Sequence, residues 1–235
     1  MNKLAKLIQN GSPLVAVGFK DGVSLKTLQK AKKDGLGVAE LRVDLFSSYD
    51  RKHVLKEAAK FKNFPIIATI RSRREGGKWN LSDAQRLELF QALIPKVDAV
   101  DIELSSSSLV RKVVKAAHRS GKLTIVSYHN FDRTPDLNSL NTIIKKAKKI
   151  GADIVKIAAL ARSPEDVQRL GLLTVQNKPK NMITIAMGKK GSVSRILFPA
   201  LGSLITYSSL GETLAPGQLD FSTTVEWVKR MYISS

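Results

Sequence analysis

The chain has 235 residues, with 39 Lys and Arg against 20 Asp and Glu, a formal charge of +19 and no cysteine. The absence of cysteine excludes a disulfide framework, a thiolate nucleophile and a cysteine-ligated zinc or iron–sulfur site. A composition of 43% hydrophobic and 25% charged residues belongs to a chain that buries a core, and is far from that of disorder.

Eight short apolar runs, each bounded by Gly, Pro, Asn or Asp, are predicted as strands at 13–19, 38–44, 65–71, 99–105, 123–129, 153–159, 182–188 and 203–209. Lys-rich stretches of helical period lie between and after them, at 24–33, 51–62, 82–94, 107–120, 137–150, 164–175, 193–200 and 222–231. Strict alternation, with strands that are nearly continuous apolar runs, points to a parallel sheet covered by helices. Eight such units with no linker between them predict a single α/β domain over 1–235, a (β/α)8 TIM barrel. A doubly wound sheet is the alternative. The first strand-to-helix turn, Gly18-Phe19-Lys20-Asp21-Gly22, is no GxGxxG fingerprint, and no GxxxxGK[ST] loop occurs. The amino-terminal stretch has no signal-peptide core, and no run approaches the ~18 apolar residues of a membrane span, so a cytoplasmic chain without membrane contact is expected.

The charge lies in runs such as Lys30-Ala31-Lys32-Lys33 and Lys145-Lys146-Ala147-Lys148-Lys149, within helical stretches, where solvated outer faces are predicted. No RNA-recognition motif or aromatic platform accompanies them, so no specific nucleic-acid partner is expected.

In a barrel the C-terminal strand ends build the site, which makes polar residues inside the strands informative. Glu40, Arg42 and Asp44 alternate with Leu41, Val43 and Leu45, and are predicted to share the inner face. The third strand ends at Arg71, the fourth carries Asp101 and Glu103, and the fifth ends in Ser127 and His129. Lys156 interrupts the apolar sixth strand. Low dielectric disfavours an ammonium, and a neutral amine attacks a ketone to give an imine, whose protonated form is an electron sink for removing the adjacent proton. A buried ion pair with Asp101 or Glu103 is the competing reading. His129 closes the neighbouring strand and belongs to the residue type that takes and returns protons near neutrality. His53 and His118 fall in Lys-rich helical stretches as exposed bystanders. No second histidine sits at ligand spacing, so neither a metal nor a cofactor is expected.

Taken together, Glu40-Leu41-Arg42-Val43-Asp44, Arg71-Ser72-Arg73-Arg74-Glu75-Gly76-Gly77, Ser127-Tyr128-His129-Asn130-Phe131, Val155-Lys156-Ile157-Ala158, Met187-Gly188, Gly191-Ser192-Val193-Ser194-Arg195 and Ala215-Pro216-Gly217-Gln218 resemble the type I 3-dehydroquinate dehydratases. The resemblance implies a hydro-lyase that takes 3-dehydroquinate to 3-dehydroshikimate, the third step of the shikimate pathway of aromatic amino acid biosynthesis, and a homodimer. It implies that Lys156 forms the imine at the C3 ketone and that His129 removes the C2 proton and protonates the departing C1 hydroxyl. Glu75 would orient His129, Glu40, Arg42 and Arg71 would bind ring hydroxyls, Arg195 the carboxylate, and Gln218 would lie on a loop that closes over the substrate. Many members carry Ser two residues before the Pro of the lid segment, where this chain has Leu214. A class I aldolase would share the barrel lysine, but Arg195 and the Ala-Pro-Gly-Gln segment suit a compact carboxylated ring. A basic nucleic-acid-binding protein would explain the charge and leave the polar strand ends unexplained.

Overall fold

Side chains of a parallel strand alternate between two faces, and in a barrel one face looks to the axis and the other to the helices. The computed structural model describes residues 2–232. It contains eight parallel strands: β1 (Leu14–Phe19), β2 (Val38–Arg42), β3 (Ile66–Thr69), β4 (Ala99–Glu103), β5 (Leu123–Asn130), β6 (Ile154–Leu160), β7 (Met182–Met187) and β8 (Ile205–Ser208). They run in the order β7-β6-β5-β4-β3-β2-β1-β8. The ring is joined between β7 and β8 by a single bridge from Met182 to Ser203, with Leu204 N donating to Met182 O at 2.9 Å.

The helices are α1 (Lys3–Gln9), α2 (Leu25–Asp34), α3 (Arg51–Ala59), α4 (Asp83–Leu93), α5 (Val110–Arg119), α6 (Leu137–Ile150), α7 (Pro164–Gln176), α8 (Ser194–Leu201) and α9 (Phe221–Tyr232). Ser24, Asp50, Ser82 and Asp136 start α2, α3, α4 and α6 by accepting the backbone N–H three residues on. In α6, Leu140, Ile144 and Ala147 are buried while Lys145, Lys146 and Lys149 are exposed, as a solvated lysine face requires. Lys148 departs from that face, for its Nζ donates to the carbonyls of Ala152 and Asp153 at the turn into β6. Among the described residues no helix is long and apolar enough to cross a membrane.

One helix, α1, is absent from the sequence reading. It lies across the N-terminal end of the barrel, where Leu4 is fully buried among inner-face residues and Asp98 accepts from Lys3 N and Ile66 N. Above it, Ala16, Val38, Ile67, Ala99, Ile125, Ile154, Ile183 and Ile205 form an apolar floor, one residue from each strand. Two residues further along the strands the composition inverts: Glu40, Thr69, Asp101, Ser127 and Lys156 occupy the inner face, beside Gly18, Ile185 and Tyr207. The floor carries packing, and this second layer carries charge.

Strand 2 corrects one expectation. Regular alternation ends at Arg42, and Val43–Leu45 form a 3₁₀ turn. The turn brings the Asp44 carboxylate back onto its own neighbour, where it accepts from Arg42 Nε at 3.0 Å and Nη2 at 2.8 Å. Asp44 therefore fixes Arg42 and does not line the inner face as a third member of the series. The third strand also stops short, at Thr69, leaving Arg71 on the loop beyond it.

Candidate active site

A cavity opens at the C-terminal end of the barrel, and Glu40, Arg42, Arg71, Glu75, His129, Lys156, Arg195 and Gln218 all line it. Residues from six strands and the segments that follow them converge there, because the polar inner-face layer and the segments beyond the strands lie on the C-terminal side of the apolar floor.

Lys156 is the one lysine lining the cavity among the described residues. Its Nζ lies 3.0 Å from Asp101 Oδ2 and 3.6 Å from Glu40 Oε1, and 4.3 Å from the centroid of the Tyr207 ring. The resting amine is thus ion-paired, the arrangement weighed as the competing reading, with Asp101 as the nearer partner and Glu40 in the place given to Glu103. Burial works against ionisation of Asp101, but Arg71 and Lys156 hold it well below the usual carboxylate range, so it is a permanent anion beside the amine.

Arg71 is held by protein acceptors through both Nη atoms. It donates to Asp101 Oδ1 at 2.8 Å, Ser127 Oγ at 2.6 Å and Glu103 Oε2 at 3.2 Å, and Arg86 of α4 closes the network onto Glu103 at 2.8 Å. These carboxylates outweigh burial and raise its pKa.

His129 and Glu75 form a dyad. His129 lies on the inner face of β5 and Glu75 in a 3₁₀ turn after β3. Glu75 Oε2 accepts from His129 N at 2.8 Å and lies 3.0 Å from its Nδ1, while Ser105 donates to Oε1. A hydrogen held on Nδ1 leaves the lone pair on Nε2. Burial first, then Arg71 and Lys156, push the imidazole well below its ordinary value, so the ring is neutral at pH 7. Burial pushes Glu75 up to about 7 against its hydrogen bonds. The other two histidines stand apart: His53 is half-buried with Nε2 2.8 Å from Asp21, and His118 pairs with Asp153 at 3.0 Å. His53 is therefore less exposed than its stretch suggests.

Arg195, in the first turn of α8, is the opposite of Arg71. Its Nη1 donates only to the Tyr207 carbonyl at 3.4 Å, and Nε and Nη2 are buried without a partner among the described residues. Burial pushes its pKa down to about 10. The first turn of this helix leaves no backbone donor beside the guanidinium, since the N–H groups of Ser194, Arg195 and Ile196 donate to the carbonyls of Gly191, Ser192 and Val193.

The loop after β8 covers the cavity. Pro216 O accepts from Gly188 N at 3.1 Å, and Gly217, at φ +76°, lies so close that a Cβ would fall 2.3 Å from Gly188 O. Leu214 reaches down to Gly18, where a Cβ would fall 2.8 Å from its Cδ1. Gln218 turns its carbonyl oxygen back to Leu214 N and Ala215 N, holding the loop's shape. Tyr207 and Met187 also line the cavity; both lie in apolar runs, where an aromatic or a methionine reads as packing. Among the described residues no cluster of three or more metal-binding side chains forms.

Residues 16–235 match the family model for type I 3-dehydroquinase. The chain is 37% identical over 227 residues to the 3-dehydroquinate dehydratase of Thermodesulfovibrio yellowstonii, covering 96% of this chain and 98% of that protein. It superposes on the crystal structure of the 3-dehydroquinate dehydratase from Aquifex aeolicus with a TM-score of 0.84 at 38% identity, over 93% of this chain and 99% of that one. The corresponding structure from Geobacillus kaustophilus gives a TM-score of 0.87 at 29% identity, over 94% and 91%. A buried lysine, a His–Glu dyad and an unpaired arginine in one barrel mouth thus come with family likeness along nearly the whole chain, and the protein belongs to the type I 3-dehydroquinase family of hydro-lyases.

Proposed function

We propose that this enzyme dehydrates 3-dehydroquinate to 3-dehydroshikimate through an imine on Lys156, and so serves the third step of the shikimate pathway. The observation that carries this reading is the placement of Lys156 and His129 on the inner faces of adjacent strands, where Ser127 pairs with Lys156 and His129 with Ala158, at the mouth of a cavity holding an unpaired guanidinium.

Lys156, ion-paired at rest, passes a proton to the ketone oxygen as its freed amine attacks C3, and that oxygen leaves as water to give a cationic imine. Asp101 is already an anion 3.0 Å from Nζ, so the cation forms in a field set before the reaction begins. Neutral His129 takes the C2 proton, and the electron pair is received by the imine as an enamine. The enamine expels the C1 hydroxyl, which His129 protonates, so that water leaves and the imidazole returns to neutral. Hydrolysis of the conjugated imine releases 3-dehydroshikimate and the free amine. Glu75 accepts from Nδ1 and fixes the ring. Arg195 holds the carboxylate, to which its free Nε and Nη2 offer charge-assisted hydrogen bonds. Glu40 and Arg42 of β2 and Arg71 from the loop after β3 face the ring hydroxyls, and the loop carrying Gln218 excludes water.

The test is conversion of 3-dehydroquinate, followed by the ultraviolet absorbance of the conjugated enone product. Turnover is expected without added metal or nucleotide, and a purified, folded protein that produces no enone would contradict the proposal.

A further inference from the structure

We propose that Tyr207 is a substrate-binding residue whose phenolic hydroxyl donates to the same carboxylate that Arg195 holds. This rests on the dehydration of 3-dehydroquinate set out above. Tyr207 lies on the inner face of β8, lines the cavity and is 4% exposed, and its Oη is buried without a hydrogen-bond partner among the described residues. The carboxylates on its inner-face neighbours are already engaged. Asp101 accepts from Arg71, Ser127 and Lys156, and Glu40 accepts from Thr69 at 2.6 Å while facing Lys156.

Phenylalanine would supply the same ring beneath Lys156 Nζ and the same packing against the barrel floor. The hydroxyl therefore adds only the cost of burying an unsatisfied polar group, unless a ligand satisfies it. The neighbouring Arg195 carries the same signature. Its Nη1 reaches the Tyr207 carbonyl, bringing its guanidinium to β8, and its remaining buried nitrogens are unpaired. A cationic fork and a neutral O–H donor on one wall match a carboxylate, whose two oxygens offer about four acceptor positions. Burial, with Glu40 and Asp101 nearby, pushes the phenol well above its ordinary range, so it remains a donor throughout the working pH range.

The experiment compares wild type with Tyr207→Phe, Arg195→Ala and the double variant on 3-dehydroquinate, together with unliganded thermal melting and borohydride trapping. Tyr207→Phe is expected to raise KM about tenfold, the loss for one hydrogen bond to a charged group, with kcat within about twofold. Its unliganded Tm should be unchanged or higher. In the Arg195→Ala background the same substitution should cost under about threefold, because the anion is no longer held against the hydroxyl. Unchanged KM and kcat, or a full effect retained without Arg195, would overturn the proposal. A fall in kcat at constant KM would place the hydroxyl at the reacting atoms instead, and a lower Tm would make it a structural group. Wild type that neither dehydrates nor traps 3-dehydroquinate would overturn the functional reading and this proposal with it, a result distinct from the others.

Discussion

On the side of the cavity built by β3, β4 and β5, Arg71 donates to Asp101, Glu103 and Ser127, and Arg86 completes the network. Across the cavity, on β8 and α8, Arg195 and Tyr207 leave buried polar atoms without partners. Both arginines are equally hidden, at 3% and 2% exposure, so burial does not separate them. Pairing does: carboxylates raise the pKa of Arg71, while burial alone brings Arg195 down to about 10. A buried cation is retained either because protein anions neutralise it or because a ligand will; the first wall shows the former, and the proposed function assigns the latter to the second. The satisfied wall sets the position of Lys156, and the unsatisfied wall is the one that the proposed function gives to the substrate's carboxylate.

Between the walls, His129→Ala is expected to have the largest effect, a loss of roughly 10³-fold or more in kcat, the range for a positioned acid–base group. Imine trapping should persist in that variant, since amine attack uses Lys156; near-normal turnover would remove the imidazole from the mechanism.

The walls themselves separate when each arginine is truncated. Arg71→Met leaves Asp101 and Glu103 short of a buried cation, and should destabilise by about 3 to 5 kcal/mol in denaturant unfolding. Arg195→Met strands no protein anion, so folding stability should hold or rise, while kcat/KM falls by about 2 to 4 kcal/mol. Equal losses of stability in the two variants would break the contrast.

Glu75 gives a smaller effect that is read through pH. Its folded pKa of about 7 lies above its ordinary 4.5, so this group's contribution to stability is fully present below pH 4.5 and is lost as pH rises through 7. Relative to Glu75→Gln, wild type should lose about 3 kcal/mol across that window, as ~1.4 kcal/mol per pH unit requires. Catalysis has the opposite sign. As Glu75 ionises it becomes the better acceptor for Nδ1–H, so kcat should rise through pH 7 in wild type and flatten in Glu75→Gln. Parallel pH profiles would exclude the dyad. Smallest of all, raising salt from low ionic strength to 0.5 M should lower kcat/KM about two- to threefold, because the lysine-rich outer helices act on an anionic substrate only through a screened field.

The barrel was legible in the sequence because period-two alternation and Gly or Asp boundaries recur around it. The same parity marks Glu40 and Arg42 for the inner face, but that Glu40, Asp101, Ser127 and Lys156 share one level follows from the register between strands. Asp44 shows where parity fails: a strand's end is set by tertiary contacts, and the fork of Arg42 drew that carboxylate into a 3₁₀ turn. The seven-residue α1 is too short to hold itself together in isolation and depends on the barrel floor; Asn2 as N-cap and Leu4, Leu7 and Ile8 at i, i+3 and i+4 are its whole signal, a single turn that is too little to stand out beside the long helices. The difference between Arg71 and Arg195 had no sequence signal either, since each is defined by partners on other strands. Tyr207, set in the run Ser203-Leu204-Ile205-Thr206-Tyr207, reads as core until its hydroxyl is found unpaired.

The most direct test of the proposed chemistry is intact-mass and peptide mapping after borohydride reduction in the presence of 3-dehydroquinate. A single covalent adduct on Lys156 is expected in wild type and in His129→Ala, and none in Lys156→Ala. Turnover of 3-dehydroquinate with no trapped adduct, or an adduct that survives the loss of Lys156, would contradict the assignment of the imine to this residue.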